Sequence, residues 1–260
     1  PIVTLIGKDL GLGTIALAWL TSIPVLCFAF SSNAATTLRR RYSVNRIITG
    51  ALWLLGASLV LRASGPVWAL YVFTVGVGLG IAVLNVMLPI WVKQNATTYS
   101  GLLTGIYVAV MSVTTSLAIA LATPLARIGS AGWQMALLPW GVVALIAAAW
   151  WQRYDRRTIS PGASEPASIN IRMFVHSKLA WQVTMVFGLQ SMNAYAARAW
   201  LPTIMLDKGF TMASAGSAVA LAGLLGAVAA MAVPHIAQRM TDQRPALWFI
   251  SLLDRKSTRL

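Results

Sequence analysis

The chain has 260 residues, of which 58% are apolar and only 10% charged, and its mean hydropathy is +0.72. A water-soluble domain needs far more surface charge, whereas crossings of ~20 apolar residues leave room for roughly eight to ten membrane helices and no large soluble domain. The net charge of +14 does not point to nucleic acid, because the cations fall in gaps between apolar runs instead of forming a patch on a polar domain.

In chain order, the stretch before Lys8 and Asp9 is too short for the apolar region of a secretory signal. The first predicted span covers 12–32 and contains Pro24 and Cys27, the single cysteine, which has no second thiol for a disulfide or metal site. A basic loop, Leu38–Arg46, leads to spans at 47–63, 67–92, 101–123 and 132–151. The polar stretch 152–178, with Arg153, Asp155, Arg156, Arg157, Pro161, Gly162, Glu165 and Pro166, reads as a flexible cytoplasmic linker. Spans at 179–203 and 211–235 follow, with an incomplete one at 246–253, and Asp254–Leu260 reads as a non-native tail. Trp68, Trp91, Trp133, Trp150, Trp151, Trp181 and Trp200 lie near span ends, where aromatic rings settle at the headgroup level.

Loops alternate across the membrane, so their cations can be counted by side. One set holds Arg39, Arg40, Arg41, Arg46, Lys93, Arg153, Arg156, Arg157, Arg172, Lys178, Arg239 and Arg244; the other holds Lys8, Arg62, Arg127, Arg198 and Lys208. The richer set is predicted to be cytoplasmic. Pro1 is then extracytoplasmic, and one helix is expected ahead of it. Six helices, a linker and a second set of helices is the layout of a transporter built from two parallel halves. The expected organisation is thus 1–151 as the first half, 152–178 as linker, 179–253 as the start of the second half and 254–260 as the tail. Pro24–Arg46 and Pro234–Arg244 add a weak internal repeat.

Polar side chains inside a span tend to face the bundle interior or a water-filled path. Asn85 is such a residue, with structural bonding to a neighbouring helix as the alternative. Gln190, Ser191, Asn193 and Tyr195 form the densest polar cluster of the second half; Gln190 and Asn193 share one face at i, i+3, and Ser191 and Tyr195 an adjacent one at i, i+4. Arg198 is either a fixed cation for an anionic solute or a residue snorkelling to the outer interface. These six residues are the candidate solute-binding set.

Gly76-Val77-Gly78-Leu79-Gly80 and Gly11-Leu12-Gly13-Thr14-Ile15-Ala16 imitate phosphate-binding loops, but neither follows a strand in a βαβ unit. Glycines four apart in a membrane helix are expected to let backbones pack closely, with Gly223 and Gly226 as a smaller case. Pro24, Pro89, Pro124, Pro202 and Pro234 can kink or end helices. Neither His176 nor His235 belongs to a nucleophile, base or metal-ligand group, so no catalytic residue, metal or cofactor is expected. None of Asp9, Asp155, Glu165, Asp207, Asp242 and Asp254 lies deep in a span to carry a proton.

Four stretches carry a family resemblance: Leu20–Ala29 (LTSIPVLCFA), Gly80–Lys93 (GIAVLNVMLPIWVK), Phe187–Ser191 (FGLQS) and Ala199–Thr203 (AWLPT). They resemble the cyanate permease and 2-nitroimidazole transporter family of the major facilitator superfamily, from Pro1 to about Leu252. The resemblance implies an all-α bundle of twelve membrane helices, of which helices two to nine would be present. It implies a multi-pass permease of a bacterial inner membrane, acting as a monomer, that moves a small polar or anionic solute by alternating access, with or without a co-transported ion. The Arg-Pro motif of that family's first helix would precede Pro1. The Gly and Asp that major facilitators carry between their second and third helices are missing from Leu38–Arg46. A non-transporting membrane receptor or scaffold, or a membrane-embedded enzyme, is the alternative from a different functional class.

Overall fold

The computed structural model describes residues 2–95, 100–126, 132–157 and 176–211, and individual positions from 214 to 228. Its elements are α1 (Ile2–Asp9), α2 (Thr14–Arg39), α3 (Val44–Arg62), α4 (Val67–Asn95), α5 (Ser100–Ala126), α6 (Trp133–Arg157) and α7 (Lys178–Asp207). Described positions from 214 to 228 are helical as well, within the span predicted at 211–235. The eighth predicted span, the 254–260 tail, His235 and the Pro234–Arg244 repeat lie outside the described residues. Val44–Arg62, Val67–Asn95, Gly101–Ala126 and Trp133–Tyr154 are long and apolar enough to cross a membrane, and Thr14–Ala29 is a shorter apolar helix. Helices suit this solvent because they satisfy every backbone group internally.

Several boundaries differ from expectation, for one reason: polarity ends an apolar run, but only backbone chemistry ends a helix. Thus α2 continues to Arg39, past the polar residues after 32, and α6 runs to Arg157, into the segment read as linker. The rest of that linker, 158–175, is outside the described residues. Chain reversal after α2 comes at Ser43, whose hydroxyl accepts the Arg46 N–H at 3.4 Å and caps α3. Gly11 adopts φ +63° in the loop between α1 and α2, so Gly11 and Gly13 form a turn instead of a packing surface. Pro24, Pro89 and Pro124 lie inside their helices, as does Pro139.

Close backbone approach sets the packing. A methyl group on Gly80 would come 3.1 Å from the Ala51 carbonyl oxygen, and one on Gly76 would overlap the Ser58 hydroxyl, so both glycines face α3. Gly78 faces the opposite way, onto Pro24 and Cys27 of α2. Cys27 is accordingly a buried free thiol, and it donates to the Val75 carbonyl at 3.7 Å. Gly56 and Gly141 are pressed against Leu145 and Val60, joining α3 to α6. Without a hydrophobic force between helices in lipid, such close packing is what associates them.

These contacts fix direction. Pairs 80 with 51 and 76 with 58 make α3 and α4 antiparallel, pairs 56 with 145 and 60 with 141 do the same for α3 and α6, and the Tyr71 hydroxyl donating to Ala16 O at 2.8 Å aligns α2 with α4. Arg39, Arg40, Arg41, Arg46, Lys93 and Arg153 therefore share one end of the bundle. At that end Ile47, Ile48, Ala51, Leu84 and Met87 form a core cluster, joined by Trp91 and Trp151. The Trp151 ring stands edge-on to Trp91 at 5.2 Å between centroids. At the opposite end a second cluster holds Ile6, Leu20, Leu70 and Trp133. Trp133 departs from the expected headgroup placement: it is 2% exposed, and its indole N–H donates to the Asp9 carboxylate at 2.8 Å, which permits burial of its one polar group. Trp68, Trp150 and Trp181 are exposed.

Candidate functional site

Gly78 and Asn85 are seven residues apart and so lie on one stripe of α4. At Gly78 that stripe is closed against α2, and at Asn85 it is exposed. The stripe is exposed at Asn85, about 6 Å along the axis from the midpoint of α4, and closes again at buried Val92 seven residues further on. Its neighbours Leu84 and Met87 are buried, so the amide is placed by a helix whose other side is locked into the core.

On α7, Gln190, Ser191 and Asn193 are exposed and sit at the middle of the helix. Tyr195 and Arg198 belong to the same helix, and their side chains lie outside the description. Exposed apolar residues, among them Leu179, Val183, Val186, Leu189 and Met192, share the broad face of this helix that carries Gln190 and Asn193. Among the described residues, those that pack on α4 come from α2, α3 and α5, so Asn85 and the α7 amides are not brought into contact. Gly223, from the span after α7, packs against Ser116 of α5, while Gly226 meets nothing within 4 Å.

A mostly apolar surface on α2 that carries two hydroxyls was missed by sequence reasoning. Ile15, Ala18, Trp19, Thr21, Ser22, Val25 and Leu26 line a concavity of about 540 Å³. Adjacent Thr21 and Ser22 within an apolar span were the available signal. Both hydroxyls donate to the Ala18 carbonyl, each at 2.9 Å. With their protons committed, the two hydroxyls have only lone pairs left to offer, so they can act as hydrogen-bond acceptors. Asn85, Gln190 and Asn193 carry amides, which both donate and accept. Among the described residues no group of His, Cys, Asp or Glu could hold a metal ion. The chemistry of these faces is hydrogen bonding in a low-dielectric setting.

Comparison with known proteins bears on this arrangement. The family described as Major Facilitator Superfamily matches residues 1–253. The chain is 32% identical over 253 residues to the 2-nitroimidazole transporter of Escherichia coli (strain K12), an alignment covering 97% of this chain and 64% of that protein. It is 32% identical over 246 residues to the uncharacterized transporter YycB of Bacillus subtilis (strain 168), covering 94% of this chain and 60% of the relative. The chain therefore spans less than two thirds of the length of these relatives. No solved structure matches.

Proposed function

Because this chain belongs to the major facilitator superfamily, a group of multi-pass membrane proteins, we propose that it forms part of a permease for a small polar solute, moved by alternating access between two helical halves. The observation that carries this reading is the exposure of the mid-helix amides Asn85 on α4 and Gln190 and Asn193 on α7. An amide in hydrocarbon is costly unless it faces a partner or a water-filled path, and a solute path supplies both. Ser191, Tyr195 and Arg198 extend the proposed lining along α7.

The chemistry of the lining selects the solute class. Amide N–H groups can hold a neutral polar molecule or an anion with spread charge, such as cyanate or a small organic anion, without a fixed cation at mid-membrane. Thr21 and Ser22 add acceptors for an N–H or O–H of the solute, and exposed Trp19 beside them offers a flat apolar wall. A nitroimidazole, the solute named for one relative, has the planarity and nitro oxygens that such a lining would recognise.

Uptake by the full-length protein in proteoliposomes tests the proposal. Saturable uptake of cyanate, a nitroimidazole or another small weak acid is expected, and N85A, Q190A and N193A should each lower it by about tenfold, the loss expected for one buried hydrogen bond of ~1.4 kcal/mol. Lack of saturable uptake across these solutes, or full activity in all three variants, would favour the receptor or scaffold reading.

A further inference from the structure

A groove of about 410 Å³ opens at the basic end, between the C-terminus of α2, the first turns of α3 and the middle of α4. Arg46 and Tyr42 stand at its mouth, and Leu54 and Val83 form apolar walls. Gly50 gives it room, since a methyl group added there would meet nothing within 4 Å, while Gly80 lets α4 close tightly on α3 beneath it. Eight residues separate Arg46 from Leu54 on α3, about 12 Å along the helix, close to the roughly 15 Å hydrocarbon depth of one leaflet. The groove therefore has a cationic, aromatic head at one level and an apolar shaft reaching toward mid-membrane.

Cations outnumber acids at this end. Arg39, Arg40, Arg41 and Arg46 crowd this corner, and no acidic residue occurs between Asp9 and Asp155. Among the described residues no ion pair holds these arginines, and Asp9 lies at the other end, bonded to Trp133. The loop-charge asymmetry assigns this end to the cytoplasm, where the leaflet is rich in anionic lipid and basic pockets between helices bind headgroups.

We propose that this groove is a binding site for one anionic phospholipid of the cytoplasmic leaflet. The phosphate sits on Arg46 with Arg39 to Arg41 around it, and one acyl chain runs past Gly50 and Gly80 to Leu54 and Val83. Tyr42 sits at the headgroup level, where an amphipathic ring is favoured.

Native mass spectrometry of the full-length protein, after exposure to phosphatidylglycerol or phosphatidylcholine vesicles, tests the site. Preferential retention of phosphatidylglycerol is expected. R46Q should lower it about fivefold, the effect of one interfacial arginine on an anionic lipid, while R46K should largely keep it. G50L should lower it as well with every arginine in place, because the new side chain fills the shaft; circular dichroism and a monodisperse gel-filtration peak check that this variant folds. Equal retention of the two lipids by the unmodified protein, or unchanged retention in both R46Q and G50L, would overturn the proposal. So would a photo-crosslinker at position 54 that captures another segment of the same protein instead of lipid, since a helix would then occupy the groove.

Discussion

Gly78→Leu is expected to leave no monodisperse, folded full-length protein. A Cβ atom at this position would stand 2.9 Å from the Cys27 sulfur and 3.0 Å from the Pro24 Cα. The second of these is backbone, inside α2, and cannot swing away as a side-chain tip could. Relief would require α2 and α4 to separate along their whole shared face, which the Tyr71 bond to Ala16 and the Cys27 contact with Val75 also hold together. Overpacking a tight core costs about 1–3 kcal/mol where side chains can move. A backbone clash between two membrane helices cannot be relieved in that way, and because close packing alone associates them in lipid, the pair is expected to part. Gly50→Ala is the matched control, since its added methyl meets open space. Fluorescence-detected size-exclusion chromatography with a thermal ramp would measure both. A Gly78→Leu protein with the normal elution profile and melting temperature would show that the α2–α4 contact does not organise the bundle.

Trp133→Ala should lower the melting temperature more than any single polar substitution in the open faces. The indole is 2% exposed and packed in a cluster with Ile6, Leu20 and Leu70, so its removal leaves a cavity worth about 3–5 kcal/mol. Trp133→Phe separates packing from polarity: it keeps most of the volume and deletes the bond to Asp9. Asp9 is itself exposed, so that bond should contribute only about 1 kcal/mol. A double-mutant cycle between Trp133→Phe and Asp9→Ala should then show coupling of that size. Coupling near zero would mean that the carboxylate merely sits beside the indole, and a Trp133→Ala protein as stable as Trp133→Phe would remove the cluster from the account. This cluster ties α1 to α2, α4 and α6, so the loss should spread beyond one helix pair.

Much of the bundle could be read from residue order. The five spans predicted between 12 and 151 coincide with α2 to α6 to within a few residues at most ends, and 179–203 falls inside α7. The larger errors lie where polar residues continue a helix, after 32 in α2 and after 151 in α6, since hydropathy reports the solvent around a residue and not its backbone geometry. The glycine run in α4 was legible as a packing device, yet nothing in its spacing said that Gly76 and Gly80 face α3 while Gly78 faces α2. Among the proposed lining residues, Asn85, Gln190 and Asn193 stood out because an amide in an apolar run is conspicuous, and Ser191 because it sits in a cluster with two of them. Thr21 and Ser22 did not, because hydroxyls that bond their own helix are common in membrane spans.

Taken alone, the residue order determined what the bilayer as solvent demands: helices throughout, crossings of set length, and cations gathered at one end. Tertiary structure decided the facing of each side chain, including the burial of Trp133, the opening of the α4 stripe at Asn85, and the groove below Arg46. The reason is that a membrane helix is apolar toward lipid and toward its neighbours alike. No 3.6-residue alternation of polarity then marks its packed side, and only contact between helices does.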